Sequence, residues 1–334
     1  MPARPRASHA RAATAVAVLA LAPACGIGFA DDTSGGHDDL PTSGAGPFGR
    51  LPVDETTPAD EPWLATDRTL DFTEPALVAR AGGGFVHFVT RESPDLPVGD
   101  SEIWRGAIRD PRQLPDEPLA PAVIADQAWE EGHVAAPAVV DDGARLVMFY
   151  EGGLTTVSVG RAVSSDGGRT WQKDPAPVLV GARAPGVAFD GALWLAAFTR
   201  PGEVGIWLAR SGDGVAWVVD AAPTLVPTGV EDSFERVAVG SPWLAWVVES
   251  TGRGHWAMWY AGLEKFPLEG DLPRPAIGYV ASFDGMAWGR SGAPRPVLAA
   301  PAGAPAVLVS GPRATLLFDG PAGRRLAVGV ATHP

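Results

Sequence analysis

The sequence predicts an all-β fold, a five-bladed β-propeller, on the strength of three observations. From residue 62 onward helical periodicity is absent, and short apolar runs alternate with Gly, Pro and Asp turns. A proline that opens a strand recurs five times, at intervals of roughly 50 to 60 residues. Each opening is followed by two more apolar runs, which is typical of one propeller blade. A propeller with one extra blade and a β-sandwich are the alternatives, and the repeat count disfavours the sandwich.

The five strand openings share a proline that follows one small or polar residue. They are Glu74-Pro75, Ala136-Pro137, Ala184-Pro185, Ser241-Pro242 and Ala304-Pro305. The second strands are predicted at 84–90, 145–150, 192–199, 255–260 and 314–318, and the third strands at 102–108, 157–163, 204–210, 276–281 and 326–331. The last repeat has no fourth strand of its own. We predict that residues 63–70 supply it, so that the ring closes without an unpaired edge.

Three of the third strands run into a turn of the form Ser-x-Asp-Gly followed by Trp. The copies lie at 164–171, 211–217 and 282–288. The Asp side chain can accept hydrogen bonds from the turn backbone, and Gly supplies the positive φ that such a turn needs. The Trp covers the turn with a large apolar surface. These residues are predicted to hold hairpins on the rim, away from the axis.

The turns resemble the Asp-box turn of sialidase-type propellers. They are still more similar to the S-x-D-G-x-x-W turn of five-bladed propeller glycosidases, the arabinanase, invertase and levansucrase group, which is glycoside hydrolase family 43-like. The resemblance implies a site at the mouth of the central channel, around the opening prolines. It also implies an acidic base or nucleophile in blade one, a second acid in blade two that tunes pKa, and a general acid in blade three.

Residue by residue, the resemblance transfers incompletely. Glu74 stands where the base or nucleophile is expected, whereas Ala136 occupies the position of the second acid. Arg183 replaces the general acid of the third blade, and an arginine cannot protonate a leaving group at neutral pH. We therefore predict a propeller that binds oligo- or polysaccharide with a degenerate acid set. An active glycoside hydrolase and a non-carbohydrate interaction module are the alternatives.

Two acidic segments precede blade openings and could supply substitute acids. In this hypothesis Glu131 or Glu235 faces Glu74 across the axis, with His133 nearby. The alternative interpretation is that these acids are solvated residues of connecting loops. The residues predicted to bind substrate at the mouth are Asp71, Trp129, His133, Arg183 and Trp243.

The N-terminal residues are predicted to form an export signal. Arg4, Arg6 and Arg11 precede a short apolar run at 12–22, which is too short to span a bilayer as a lasting helix. Small residues then lead to Cys25, the only cysteine of the chain.

The position of Cys25 resembles the bacterial lipobox, although Leu21 lies one place further from the cysteine than that pattern requires. We predict a signal peptide at 1–24, a lipidated Cys25 within a flexible acidic and Gly-rich tether at 25–61, and the propeller at 62–334. The predicted location is the cell envelope, on the outer membrane or cell surface. Ordinary cleavage, which releases a secreted protein, is the alternative.

The formal net charge of −13 argues against nucleic acid and anionic lipid surfaces as partners. Membrane contact is therefore predicted only through the N-terminal lipid, and the protein is predicted to be a monomer. No nucleotide-binding loop, serine hydrolase motif or zincin motif is present. We expect no cofactor. A divalent cation in the central channel is the alternative, but the sequence indicates no set of residues that would bind it.

Overall fold

Five small antiparallel sheets form the blades of a β-propeller, which confirms the predicted fold class. The structure is a computed structural model that describes residues 45–51, 71–80, 82–92, 96–97, 99–109, 117–268, 271–290, 295–322 and 325–333. The predicted signal peptide, Cys25 and segment 63–70 lie outside these ranges. The described residues contain no helix with the length and apolar character needed to cross a membrane.

Each blade is a meander of neighbouring strands, with the first strand innermost. Blade one contains β2 (Asp71–Ala79), β3 (Phe85–Glu92), β4 (Glu102–Ile108) and β5 (Glu117–Val123). In blade two, β9 (Gln172–Lys173) and β10 (Leu179–Val180) both pair with β8 (Ser158–Ser164), which follows β6 (Val134–Asp141) and β7 (Leu146–Gly152). Blade three contains β11 (Arg183–Phe189), β12 (Trp194–Thr199), β13 (Trp207–Ser211) and β14 (Val218–Val219).

Blade four contains β15 (Ala238–Val248), β16 (Gly254–Leu263) and β17 (Ala276–Ser282). Blade five contains β18 (Gly303–Ser310), β19 (Arg313–Ala322), β20 (Arg325–His333) and β1 (Gly49–Leu51). A short 3-10 turn at Ala128–Glu130 is the helical element of the described chain.

The N-terminal strand β1 closes the ring by pairing antiparallel with β20, with Gly49 opposite Thr332 and Leu51 opposite Val330. The closing strand therefore comes from residues assigned to the tether, and the prediction that 63–70 supplies it is wrong. A three-residue strand carries too little apolar pattern to be recognised in the sequence. Side-chain contacts fix it instead, because the Arg50 guanidinium donates to the carbonyls of Ala299 and Pro301, both at 2.8 Å.

Every opening proline lies at a β-bulge of its innermost strand. The pairing register shifts at this point in all five blades. The residue before the proline has a left-handed backbone, with φ of 52° at Glu74, 45° at Ala136, 48° at Ala184, 44° at Ser241 and 41° at Ala304. This conformation is strained for a non-glycine residue and takes the N–H out of the strand pairing. The freed N–H groups then need other acceptors.

The three Ser-x-Asp-Gly turns are held by their own side chains. In the first, Asp166 Oδ1 accepts the backbone N–H groups of Arg169 and Thr170 at 2.9 and 3.0 Å. Asp213 and Asp284 each accept two backbone N–H groups in the same way. The Trp171 ring also lies edge-on against Phe88 of blade one, with 5.7 Å between centroids. The turn therefore joins two neighbouring blades as well as closing a hairpin.

Candidate functional site

Three carboxyl groups meet at the channel mouth, the end of the channel at which the innermost strands begin. Each accepts the backbone N–H of a bulge in the next blade around the ring. Glu151 Oε2 accepts from Ala184 at 2.8 Å, Asp319 Oδ1 accepts from Glu74 at 2.8 Å, and Glu74 Oε2 accepts from Ala136 at 3.1 Å. The strained openings therefore draw acidic side chains to the mouth, because their freed N–H groups need acceptors.

Glu151 and Asp319 were not among the predicted site residues, which lie around the opening prolines and in the segments before them. Both residues occupy the same position in the second strand of their blades, and Thr90 occupies it in blade one. The register pairs are Thr73 with Thr90, Ala135 with Glu151, and Gly303 with Asp319. A sequence signal was present, since Glu151 directly follows Tyr150 and Asp319 directly follows Phe318. Aligning the ends of the second strands exposes both acids.

Glu74 lies at the mouth as predicted and is enclosed by protein on most sides. Its Oε2 accepts the hydroxyl of Thr90 at 3.0 Å, in addition to the Ala136 N–H. Burial raises the pKa of Glu74 to about 7, and the negative charge of Glu151 adds to the shift. Glu74 therefore exchanges a proton near neutral pH, which an ordinary glutamate does not.

Glu151 is 4% exposed and lies between two basic side chains. His133 Nε2 and the Arg183 guanidinium each lie 3.5 Å from its Oε1. Burial alone would raise the pKa of Glu151, but the His133 hydrogen bond, the Arg183 charge and the Ala184 N–H together hold it below the ordinary value. Glu151 is therefore an ionised carboxylate at neutral pH.

His133 is oriented from both sides of its ring. Nδ1 lies 2.8 Å from the hydroxyl of Ser101, which also lies 2.9 Å from the carbonyl oxygen of Val134. Burial opposes the charged imidazolium, yet Glu151 and Glu74 outweigh this effect and raise the pKa of His133 above its ordinary value. The two carboxyl groups therefore favour the charged form of the His133 ring.

The third carboxyl, Asp319, has a pKa well above its ordinary range, because of burial and then of the charge of Glu74. The mouth thus combines a Glu151 held in its ionised form, a Glu74 whose pKa is about 7, and an Asp319 whose protonated form is favoured by burial. Carboxyl groups with separated proton affinities can divide acid and base roles between them. In the described part of the chain, no group of three or more His, Cys, Asp or Glu side chains is arranged to hold a metal ion.

The two predicted substitute acids form hydrogen bonds with residues other than Glu74. Glu131 is exposed and accepts the backbone N–H groups of Leu154 and Thr155 at 2.7 and 2.6 Å, so it holds the loop after β7. Glu235 is fully buried and accepts the Tyr260 hydroxyl and the Arg290 guanidinium. Both carboxylates are engaged by structural partners, and Glu151 takes the place beside Glu74 that they were predicted to fill.

The predicted aromatic contacts are packed into the scaffold. Trp129 stacks on Tyr150 with 6.0 Å between centroids, and Trp243 is 6% exposed and donates to the carbonyl of Val307 at 2.9 Å. The ring faces of Trp129 and Trp243, which were predicted to stack on sugar rings, therefore pack against other residues of the propeller. Asp71 begins β2 opposite Glu92, and its side chain lies outside the described part of the structure.

Comparison with known proteins gives structural neighbours only. No protein-family model matches the chain, and no curated protein matches it. A glycosyl hydrolase from Bacteroides ovatus aligns with a TM-score of 0.56 and 14% identity, covering 88% of this chain and 90% of that one. The match therefore shows a shared fold.

Two further solved structures align at similar levels. One is described under the GH130 family of mannoside phosphorylases, with glycoside hydrolases that target β-1,2 mannosidic linkages in Candida mannan. It has a TM-score of 0.57, 14% identity and coverage of 87% and 90%. A fructofuranosidase variant from Schwanniomyces occidentalis, complexed with fructosylnystose, has a TM-score of 0.59, 16% identity and coverage of 80% and 56%. The neighbours are thus glycoside hydrolase-like five-bladed propellers.

Proposed function

We propose that this protein is a glycoside hydrolase whose active site is the channel mouth. The observation that carries the proposal is the pair of adjacent glutamates whose pKa values move in opposite directions. The pKa of Glu74 rises to about 7, and that of Glu151 lies below its ordinary value. Glycoside hydrolysis generally uses one protonated and one ionised carboxyl group.

In the proposed reaction Glu74 is the general acid and Glu151 is the general base. A water molecule attacks the anomeric carbon and gives its proton to Glu151. The glycosidic C–O bond breaks, and the leaving oxygen takes the proton of Glu74. Glu151 suits the role of a fixed base, because His133, Arg183 and the Ala184 N–H already hold its two oxygens.

The structural neighbours support a carbohydrate as the ligand, since they include glycoside hydrolases and a fructofuranosidase. Because fold does not fix function, this support concerns the class of ligand and not the linkage.

Carbohydrate binding without hydrolysis is the second candidate, and two observations favour it. One oxygen of each of the three carboxyl groups accepts a backbone N–H at a bulge, which is a structural role. Arg183 also stands where the resembling glycosidases carry their general acid. In this case the mouth is a recognition site that has lost its chemistry.

The test is a panel of arabinan, fructan, xylan and mannan oligosaccharides, assayed for both binding and hydrolysis. Glu74→Gln removes the proposed proton, and Glu203→Gln is the matched control, because Glu203 is an exposed acid in the loop after β12. We expect hydrolysis by the wild type and the control, and loss of hydrolysis in Glu74→Gln. Binding without hydrolysis by the wild type selects the second candidate. Neither binding nor hydrolysis on any glycan overturns both.

We also propose that the protein is exported and anchored to the cell envelope through a lipid on Cys25. The supports are the basic and apolar N-terminal residues and the single cysteine that follows them. Labelled fatty acid should be incorporated into the wild type and not into Cys25→Ala. Recovery of the unlabelled wild type wholly from the medium contradicts the anchor.

A further inference from the structure

Arg183 is the basic side chain that the channel mouth exposes beside its buried carboxylate. It is the first residue of β11 and lies directly before Ala184, the bulge residue whose N–H donates to Glu151. The Arg183 side chain is 50% exposed, whereas the Glu151 side chain is 5% exposed. The guanidinium therefore covers the edge of the acidic cluster and faces solvent with the rest of its surface.

The guanidinium of Arg183 is not saturated by its partner. Its one ion-pair contact within the described ranges is Glu151 Oε1, at 3.5 Å. Charge-assisted N–H···O bonds are normally about 2.7–2.9 Å long, so this contact is loose. The two oxygens of Glu151 are already shared with His133 and with the Ala184 N–H. Several of the five guanidinium N–H donors are thus left for a ligand.

The charge at the mouth does not follow the charge of the whole protein. The chain carries a net charge of −13. At the mouth, however, the ionised Glu151 is faced by Arg183 and by His133, and burial raises the pKa values of Glu74 and Asp319, which favours their uncharged forms. An anionic group that approaches Arg183 consequently meets less repulsion than the overall charge would suggest.

We propose that Arg183 makes the mouth selective for glycans that carry a carboxylate, namely uronic acid residues; this inference rests on the carbohydrate function proposed above. A planar carboxylate matches the fork of a guanidinium and can take two parallel hydrogen bonds from it. The sugar carboxylate would bind on the exposed side of Arg183, with Glu151 on the opposite side holding the arginine in place.

The experiment measures binding of matched pairs of oligosaccharides that differ only in the carboxyl group. Suitable pairs are oligogalacturonides with their carboxyl-reduced forms, and glucuronoxylan with xylan oligosaccharides, titrated calorimetrically at one fixed salt concentration. The variants are Arg183→Gln, which removes the charge, and Arg183→Lys, which keeps the charge without the fork. Arg236→Gln is the control, because Arg236 is an exposed arginine in the connection before β15.

We expect the wild type and Arg236→Gln to bind the uronate member of at least one pair about 10- to 100-fold more tightly than the neutral member. Arg183→Gln should lose this preference, measured as the ratio of the two affinities within a pair, and Arg183→Lys should keep only part of it. The neutral member of a pair can also be sulfated, which adds a negative charge without a carboxylate. If the sulfated form binds as tightly as the uronate, the attraction is one of general charge, and carboxylate recognition is overturned.

Equal affinity for both members of every pair, or an unchanged preference in Arg183→Gln, would also overturn the inference. In either case, hydrolysis or binding of neutral glycans would leave the proposed function standing. If neither member of any pair binds, the uronate inference is overturned, and the proposed function is decided separately by the wider glycan panel.

Discussion

The backbone N–H of Ala184 donates to Glu151 Oε2 at 2.8 Å, across the boundary between blades three and two. The same contact recurs from Glu74 to Asp319 and from Ala136 to Glu74. Each is possible because the residue before the opening proline is held in the left-handed region. One set of carboxyl groups thus satisfies the strained backbone of the inner strands and supplies the ionisable groups of the mouth.

Replacing Glu151 with alanine should destabilise the fold by about 1–3 kcal/mol, because the Ala184 N–H loses its acceptor in a buried place. Glu151→Gln keeps an acceptor oxygen and should retain more of the stability. Chemical denaturation of the two variants and the wild type gives the free energies of unfolding. An alanine variant as stable as the wild type would show that the contact contributes nothing to ring stability.

Glu74 should make stability depend on pH between about 4.5 and 7. Its pKa is raised from 4.5 to about 7 in the folded state. Its contribution to stability is therefore fully present below pH 4.5 and is lost as the pH rises through 7. Glu74→Gln has no such dependence, so its stability relative to the wild type should improve as the pH rises.

The measurement is the free energy of unfolding of wild type and Glu74→Gln at several pH values. Subtracting the two curves removes the other titrating groups that both proteins share. A difference that stays constant from pH 4.5 to 8 contradicts the raised pKa of Glu74.

His87 should act in the opposite direction, at acidic pH. It is fully buried in β3, and neither ring nitrogen has a hydrogen-bond partner among the residues that the structure describes. Burial, with a smaller effect of the nearby Arg105 charge, lowers the pKa of His87 from 6.5 to about 3. Its stabilising contribution is present above pH 6.5 and is lost as the pH falls toward 3.

The His87→Leu variant removes this proton-binding group. Its melting temperature should be lower than that of the wild type at pH 7 because of imperfect packing, and the gap should narrow as the pH falls toward 4. A gap that widens with acidity would show that the imidazolium form is tolerated in the folded state.

The buried carboxylate of Glu235 should contribute to stability and not to glycan turnover. Arg290→Met leaves Glu235 buried with the Tyr260 hydroxyl and without its cationic partner, which typically costs about 3–5 kcal/mol. The exposed neighbour Glu231 provides the control, as Glu231→Gln should change stability little. Adding Glu235→Gln to Arg290→Met should recover part of the loss. A loss of turnover in folded Glu235→Gln would return this acid to the active site.

The repeat of opening prolines was sufficient to predict the number of blades and the place of the mouth. It also placed Glu74 correctly in the innermost strand of blade one, because period and turn chemistry are local properties of the sequence. The loops before blade openings were harder to interpret. Trp129 was predicted to contact substrate, whereas it stacks on Tyr150. The adjacent Glu130 is buried and accepts the Tyr150 hydroxyl.

The acids that complete the mouth were missed for a physical reason. Glu151 and Asp319 reach it through pairing with the strand that carries the bulge, and sequence spacing alone does not report that register. The closing strand was misplaced for a similar reason. Only tertiary contacts distinguish Gly49–Leu51 from any other short polar segment, among them the two hydrogen bonds of Arg50.

The pairing of β1 with β20 also constrains how the chain can mature. Gly49 is synthesised long before its partner Thr332, so blade five stays incomplete until residue 332 has been made. The ring is then sealed by contacts of the greatest sequence separation, which are slow to form. Until then a nascent chain exposes an open sheet edge, and a variant truncated before β20 keeps that edge available for aggregation.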